Sequence, residues 1–447
     1  MGTPFVLGIH SVVRAPATLE VNARDRGLVR GIGPVGLAAN MVNYTVGASI
    51  FVMPALTAKA AGAWAPVAFL IAAIANAALT ICYAEATARV PTSGGQAGFT
   101  ELAFGRFAAF LTGIFTYLAN LLAAGAILAA TADTAAAFVP ALAAPAIRAG
   151  LIIGWLALLF AINLRGVAVA TRMVALAATI KLVPLAIFLG VGVFLVDPAN
   201  LPLPQLPATG LGDAALLAVF LFAGVHGSIL AGGEIRDPSR TLPRALAIGL
   251  AAITFVFVGA QLVAQGILGP ALAGAATPLA DALGTVSPGL RALMLVGALI
   301  SMLGWTASDA LSTPRLVFAL ARDGRLPAAL GVVDPRHAVP VRAIAVHLAA
   351  AGALAIAGSF ALLATVSTLM LVLLFIGAAL AALQLRRSGV ALGGTVSALP
   401  GLPLAAPIVI AIMLWVAAQA TGAQLAALAA LIGVLALWFV VSERAGR

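Results

Sequence analysis

Two stretches decide the fold: MVNYTVGASIFVMP, from Met41 to Pro54, and LFAGVHGSILAGGEIRDP, from Leu221 to Pro238. Each lies in an apolar run long enough to cross a bilayer, and each is interrupted near its middle by small residues. The first interruption is Gly47-Ala48-Ser49, the second Gly224-Val225-His226-Gly227. Glycine weakens a helix by roughly 1 kcal/mol relative to alanine. Lipid tolerates a broken helix only where the freed amides and carbonyls face protein, a ligand or a water-filled cavity. Broken spans at matching places in two halves of a membrane chain point to a transport site. Small residues also let helices pack closely. The pairing of the two breaks, and the histidine in the second, favour a site.

The composition agrees. The chain has 447 residues, 63% of them hydrophobic and 9% charged, with a mean hydropathy of +1.15. A helix needs about 20 apolar residues to span the hydrocarbon core, and such runs recur along the chain. They are continuous rather than alternating, which argues for helices and against a barrel. Twelve spans are expected, centred near Gly47, Ile74, Leu118, Trp155, Leu185, Gly224, Phe257, Leu303, Ala350, Leu373, Ile412 and Leu435.

The charges orient the spans. With the N-terminus inside and spans alternating, Lys59, Arg148 and Arg291 fall outside and Lys181 falls within a span. Every other member of the 24 Lys and Arg residues falls inside. That bias places both termini in the cytoplasm. The net charge of +10 therefore reflects membrane topology rather than nucleic-acid binding. The first thirty residues read as a cytoplasmic arm without a signal peptide.

Several polar residues lie inside spans. Glu85 and Arg89, four apart, can pair on one helix face. Asn120 in the third span needs a partner, either a neighbouring helix or a ligand. Asp133 lies toward the outer end, within reach of water. Pro54 is expected to bend or end the first span. Lys181 sits roughly 13 Å inward of Arg172, and Asp309 roughly 9 Å deeper than Arg315, at 1.5 Å per residue. An ionisable residue in a span is a functional candidate by default. Their similar depths suggest that Lys181 and Asp309 face one another, with Ser312 joining them. Enzyme chemistry is not indicated. The chain has one cysteine, Cys82, and its histidines (His10, His226, His337 and His347) are scattered over different segments. No nucleophile–base spacing, metal motif or cofactor motif is present.

Five stretches resemble the amino acid–polyamine–organocation family of permeases, in the family's order. They are VGASIFVMP, YAEATARVPTSGGQAGFTELAFGRFAAFLTG, INLRGVAVATRMVALAATIKLVPL, FAGVHGSILAGGEIRDPSRTLPRA and SDALSTPRLVFALARDGRLPAAL followed by VPVRAI. The resemblance implies an all-α polytopic membrane protein with a LeuT-like 5+5 inverted repeat plus two C-terminal helices. Its parts would be residues 1–30, a cytoplasmic arm; 31–196, the first repeat; 197–388, the second; and 389–447, the last two spans and a short cytoplasmic tail.

It also implies a site. The carboxylate of an amino acid would be held by the amides of Gly47, Ala48, Ser49 and Ile50. Its amine would be held by carbonyls around Asn43, Tyr44 and Val46, and from Phe222 through Ala223 to Gly224. Free amides at a helix start and free carbonyls at a helix end suit a zwitterion. Lys181 matches a fifth-span lysine that stands, in some relatives, where sodium-driven relatives bind an ion. That favours proton coupling or ion-independent exchange. Val225-His226 stands where a Phe-Glu pair is common, so His226 is expected to touch the substrate side chain, sense pH or bond a freed carbonyl. Ser49 replaces a usual glycine.

The function expected is proton-coupled, sodium-independent import of small or neutral amino acids across the cytoplasmic membrane. An amino acid/amine exchanger and a transport-dead sensor on the same scaffold are the alternatives.

Overall fold

The computed structural model describes residues 33–90, 95–165, 181–202, 206, 208–224, 238–392, 399 and 401–445. Among these residues every regular element is helical. The first expected span is two helices. Helix α1 (Pro34–Thr45) starts on a proline, a 3₁₀ turn follows at Ala48–Phe51, and α2 (Met53–Ala61) completes the span. Pro54 neither bends nor ends a helix here. It stands in the first turn of α2, where its missing N–H costs nothing and its fixed φ suits the start.

The chain continues through α3 (Ala65–Arg89), α4 (Gly95–Phe104), α5 (Arg106–Phe138), α6 (Pro145–Leu164), α7 (Leu182–Gly192) and α8 (Leu211–Phe222). Then come α9 (Pro238–Leu268), α10 (Pro278–Gly284), α11 (Pro288–Arg322), α12 (Val341–Ala357), α13 (Phe360–Arg387), α14 (Leu402–Ala417) and α15 (Gly422–Ala445). Among the described residues, seven segments are long and apolar enough to cross a membrane, and four shorter apolar helices lie between them. Every expected span centre falls on one of these except two. Gly47 sits in the gap between α1 and α2, and Gly224 lies just past the end of α8.

The ends of the helices sort by side. Arg148 on α6 pairs with Asp133 on α5 at 3.0 Å and donates to the carbonyl of Ala355 on α12. Arg148 and Asp133 are both expected toward the outside. Arg325 and Arg106 both pair with Glu443, at 3.0 and 3.3 Å, and both arginines are expected inside. Arg89 pairs with Glu85 at 2.8 Å, with both side chains buried. Arg89 donates to the carbonyl of Val390, and Glu85 accepts from the amide of Leu399. These bonds tie α3 to the connection between α13 and α14.

Helices approach closely at small residues. Gly210, ahead of α8, has φ +72, and a Cβ there would lie 1.8 Å from the carbonyl oxygen of Ala60 in α2. Only glycine fits where the two broken-span elements meet. The outer surface is apolar, with Phe255, Leu404 and Leu437 fully or largely exposed, as lipid contact requires. None of the most apolar stretch of α15 is buried inside the protein.

Candidate functional site

The break in the first span is a consequence of local sequence. The helix of α1 closes with Val46 N–H donating to the Val42 carbonyl at 2.8 Å. Gly47 then adopts φ −118, ψ −149, outside the helical range. A helical turn restarts at Ala48, and a restart leaves the first amides without an acceptor in the turn; here those are Ala48, Ser49 and Ile50. A Cβ on Gly47 would stand 3.2 Å from Trp305 Cδ1, so a larger residue would press on α11.

A cavity of about 80 Å³ opens at this break. One water needs roughly 10–15 Å³ by the same measure, so the space suits a small molecule of a few heavy atoms. The first span contributes Thr45, Gly47, Ala48 and Ser49; α5 contributes Asn120 among others; α8 and its end contribute Ala223 and Gly224. The break in the first span and the end of α8 thus meet across one cavity, with Asn120 beside them. The amide nitrogen of Asn120 donates to the Thr116 carbonyl at 3.0 Å within its own helix.

Other expected residues lie off the cavity wall. Val46 and Ile50 are fully buried in the core. Phe222 is buried edge-on against Phe257, with ring centroids 5.0 Å apart. Asn43 also stands back from the wall, and its carbonyl accepts from the ammonium of Lys181. His226 lies outside the described residues, as do the rest of the second break and the side chain of Tyr44.

Lys181 and Asp309 are not partners. Lys181 is buried and bonded to the first span. Asp309 is also buried, and its Oδ2 lies 2.8 Å from His347 Nε2 on α12, while Thr313 donates to its Oδ1 at 2.5 Å. Equal depth fixes height but not direction around the helix. Ser312 faces outward and donates to the Ser308 carbonyl at 2.9 Å. Three residues rotate a helix by about 300°, four by about 400°, so Thr313 rather than Ser312 turns back onto the Asp309 face.

Sequence reasoning missed Thr45, Thr116, Trp305 and Ser367, all on the wall. Thr45 is 5% exposed and its hydroxyl has no hydrogen-bond partner. Helical spacing from Asn120 would have found Thr116 on the same face. Trp305 and Ser367 carry no such local signal, because only the folding of α11 and α13 against α5 brings them in.

The comparisons with known proteins agree with this architecture. A family model described as amino acid permease matches residues 32–442. An uncharacterized transporter of Mycobacterium tuberculosis is 32% identical over 336 residues, covering 73% of this chain and 74% of that protein. A methylthioribose transporter of Bacillus subtilis is 27% identical, covering 73% and 74% of the two chains. The branched-chain amino acid permease BcaP of the same organism is 25% identical, covering 72% and 73%. With the match spanning nearly the whole polytopic chain, this protein belongs to the amino acid permease family of the amino acid–polyamine–organocation superfamily.

Proposed function

We propose that the protein is a secondary transporter that imports small or neutral amino acids across the cytoplasmic membrane by alternating access. The observation that supports this reading is the cavity between the first-span break and the end of α8, with Gly47, Ala48 and Ser49 of the break on its wall. An amino acid presents a carboxylate and an ammonium. Amides of Ala48 and Ser49 suit the first, and carbonyls near the ends of α1 and α8 suit the second. The unpartnered Thr45 hydroxyl adds a group that a bound zwitterion would satisfy. The small volume and the Ala48, Ala119, Ala123 and Ala223 walls leave little room for a long or charged side chain. The branched-chain amino acid permease among the relatives supports an amino acid substrate.

The frame of this reading is twelve spans in a LeuT-like arrangement. Residues 31–196 and 197–388 form inverted repeats, and residues 389–447 add two further spans. Both termini lie in the cytoplasm. His226 would face the substrate side chain from the second break.

Proton coupling is the expected driving force, with sodium excluded. Lys181 already places a cation on the freed carbonyl of Asn43, where a metal ion would otherwise find an oxygen ligand. A buried lysine that gains or loses a proton would bind or release that carbonyl, and so link a proton to the shape of the break. Asp309 is the second candidate coupling group.

Reconstituted vesicles test the reading. A pH gradient, acidic outside, should drive uptake of a labelled small neutral amino acid into vesicles with no internal substrate and no sodium. Flux only against internal amino acid would make the protein an exchanger. Binding without flux would make it a sensor.

A further inference from the structure

His347, Asp309, Thr313 and Tyr117 form a polar cluster between α5, α11 and α12. His347 is fully buried and Asp309 is 6% exposed. His347 Nε2 faces Asp309 Oδ2 at 2.8 Å, and the Tyr117 ring lies 5.9 Å from the imidazole, tilted by 57°. The other ring nitrogen, His347 Nδ1, is buried and has no hydrogen-bond partner.

The geometry constrains where protons sit. A neutral imidazole has one N–H and one bare nitrogen. With Asp309 ionised, Nε2 holds the hydrogen and donates it to the carboxylate, which leaves Nδ1 as an empty lone pair. That is the cheaper arrangement, since an unfilled acceptor costs less than a buried N–H with nothing to donate to. The unit then has a net charge of −1 in an apolar wall, relieved only by Thr313. Such a charge is expensive in a membrane interior. One added proton neutralises the unit, whether it rests on Nδ1 or moves to the carboxylate. The proton belongs to the pair rather than to either residue.

Among the described residues, neither Asp309 nor His347 forms an ion pair with any third group. From α5 the group facing the pair is the Tyr117 phenol. From α6 it is Trp155, which does not titrate and donates to Thr306 at 2.9 Å; Arg148 on that helix is taken by Asp133. At the head of α7, Lys181 is bonded to Asn43. On α11 the next charge is Arg315, six residues along, and on α12 it is Arg342, which is exposed. Asp281 on α10 pairs with Arg291.

We infer that His347 and Asp309 together form a proton-binding site within the membrane, distinct from Lys181 and from the substrate cavity. The site is built into two helices of the cavity wall. Trp305 stands one turn before Asp309 on α11, and Asn120 three residues after Tyr117 on α5. A change of one unit charge here acts on the same helices that shape the cavity.

Nitrogen NMR on the full chain with isotope-labelled histidine tests this without any substrate, so the result is independent of what is transported. The chain has four histidines, and H347Q identifies the His347 signal by its loss. If H347Q does not fold, a chain with His10, His226 and His337 changed to glutamine shows that signal alone. At alkaline pH His347 should show the Nε2–H neutral form. Across a titration from about pH 10 to about pH 4 its signal should change form, and D309N should move that change along the pH axis. A His347 signal constant over the range overturns the inference, as does a D309N midpoint equal to that of the unaltered protein.

Discussion

Lys181, at the head of α7, donates its ammonium to the carbonyl oxygen of Asn43, two residues before α1 ends. A main-chain carbonyl in a continuous helix is occupied by the amide four residues on. At Asn43 that amide belongs to Gly47, where the helix has already opened. The lysine therefore occupies an acceptor that exists only because the span is interrupted. Lys181→Ala should abolish the pH dependence of uptake in reconstituted vesicles. Proton-driven uptake of unaltered pH profile in that variant removes Lys181 from the coupling.

Gly47→Leu should eliminate ligand binding. Even the Cβ would press Trp305 Cδ1 at 3.2 Å, and the rest of the side chain must enter the cavity or displace α11. A thermal-shift screen against the twenty amino acids reads this directly, since a ligand that binds the native state raises its melting temperature. Normal ligand response in the variant would place the site elsewhere.

Gly210 and Gly62 both have positive φ, +72 and +53, but their surroundings differ. An added Cβ at Gly62 meets nothing within 4 Å, while at Gly210 it meets the Ala60 carbonyl at 1.8 Å. Gly62→Ala should cost about 1–3 kcal/mol from backbone conformation alone. Gly210→Ala should cost a further 1–3 kcal/mol or more, roughly, from overpacking. Melting temperatures of the two variants in the same detergent should rank Gly210→Ala clearly lower.

Asp334, in the loop between α11 and α12, accepts from His337 Nδ1 at 2.6 Å and from the amides of Arg336 and His337. The His337 hydrogen bond, followed by these amides, holds its carboxyl below the usual carboxylate range. The sign follows: a lowered folded-state value gives stability that is present above the ordinary aspartate range, about pH 3.9. That stability is lost as pH falls through the lowered value. Hydrogen exchange at the Arg336 and His337 amides should accelerate relative to neighbouring loop amides on strong acidification. Asp334→Ala should remove that acid dependence and leave exchange fast throughout.

The sequence was most legible where a signal is periodic or local. Apolar length placed the helices, and small residues placed the break at Gly47. It was least legible where function depends on azimuth. Depth alone put Lys181 opposite Asp309, yet each found a closer partner. Asp309 turned toward His347, 38 residues on, and nothing in the spacing across a loop tells which face of α12 will arrive. Ser312 failed for the same reason at shorter range, because one residue more or less on a helix redirects a side chain by about 100°.

The amides and carbonyls exposed between Thr45 and Met53 belong to the peptide chain itself. Any substitution at Ala48 or Ser49 other than proline alters a side chain but keeps the N–H and C=O. On the proposed reading, changes at Thr116, Trp305 or Ser367 would rewrite the cavity walls and so the range of side chains admitted, while the main-chain groups of the break would stay in place.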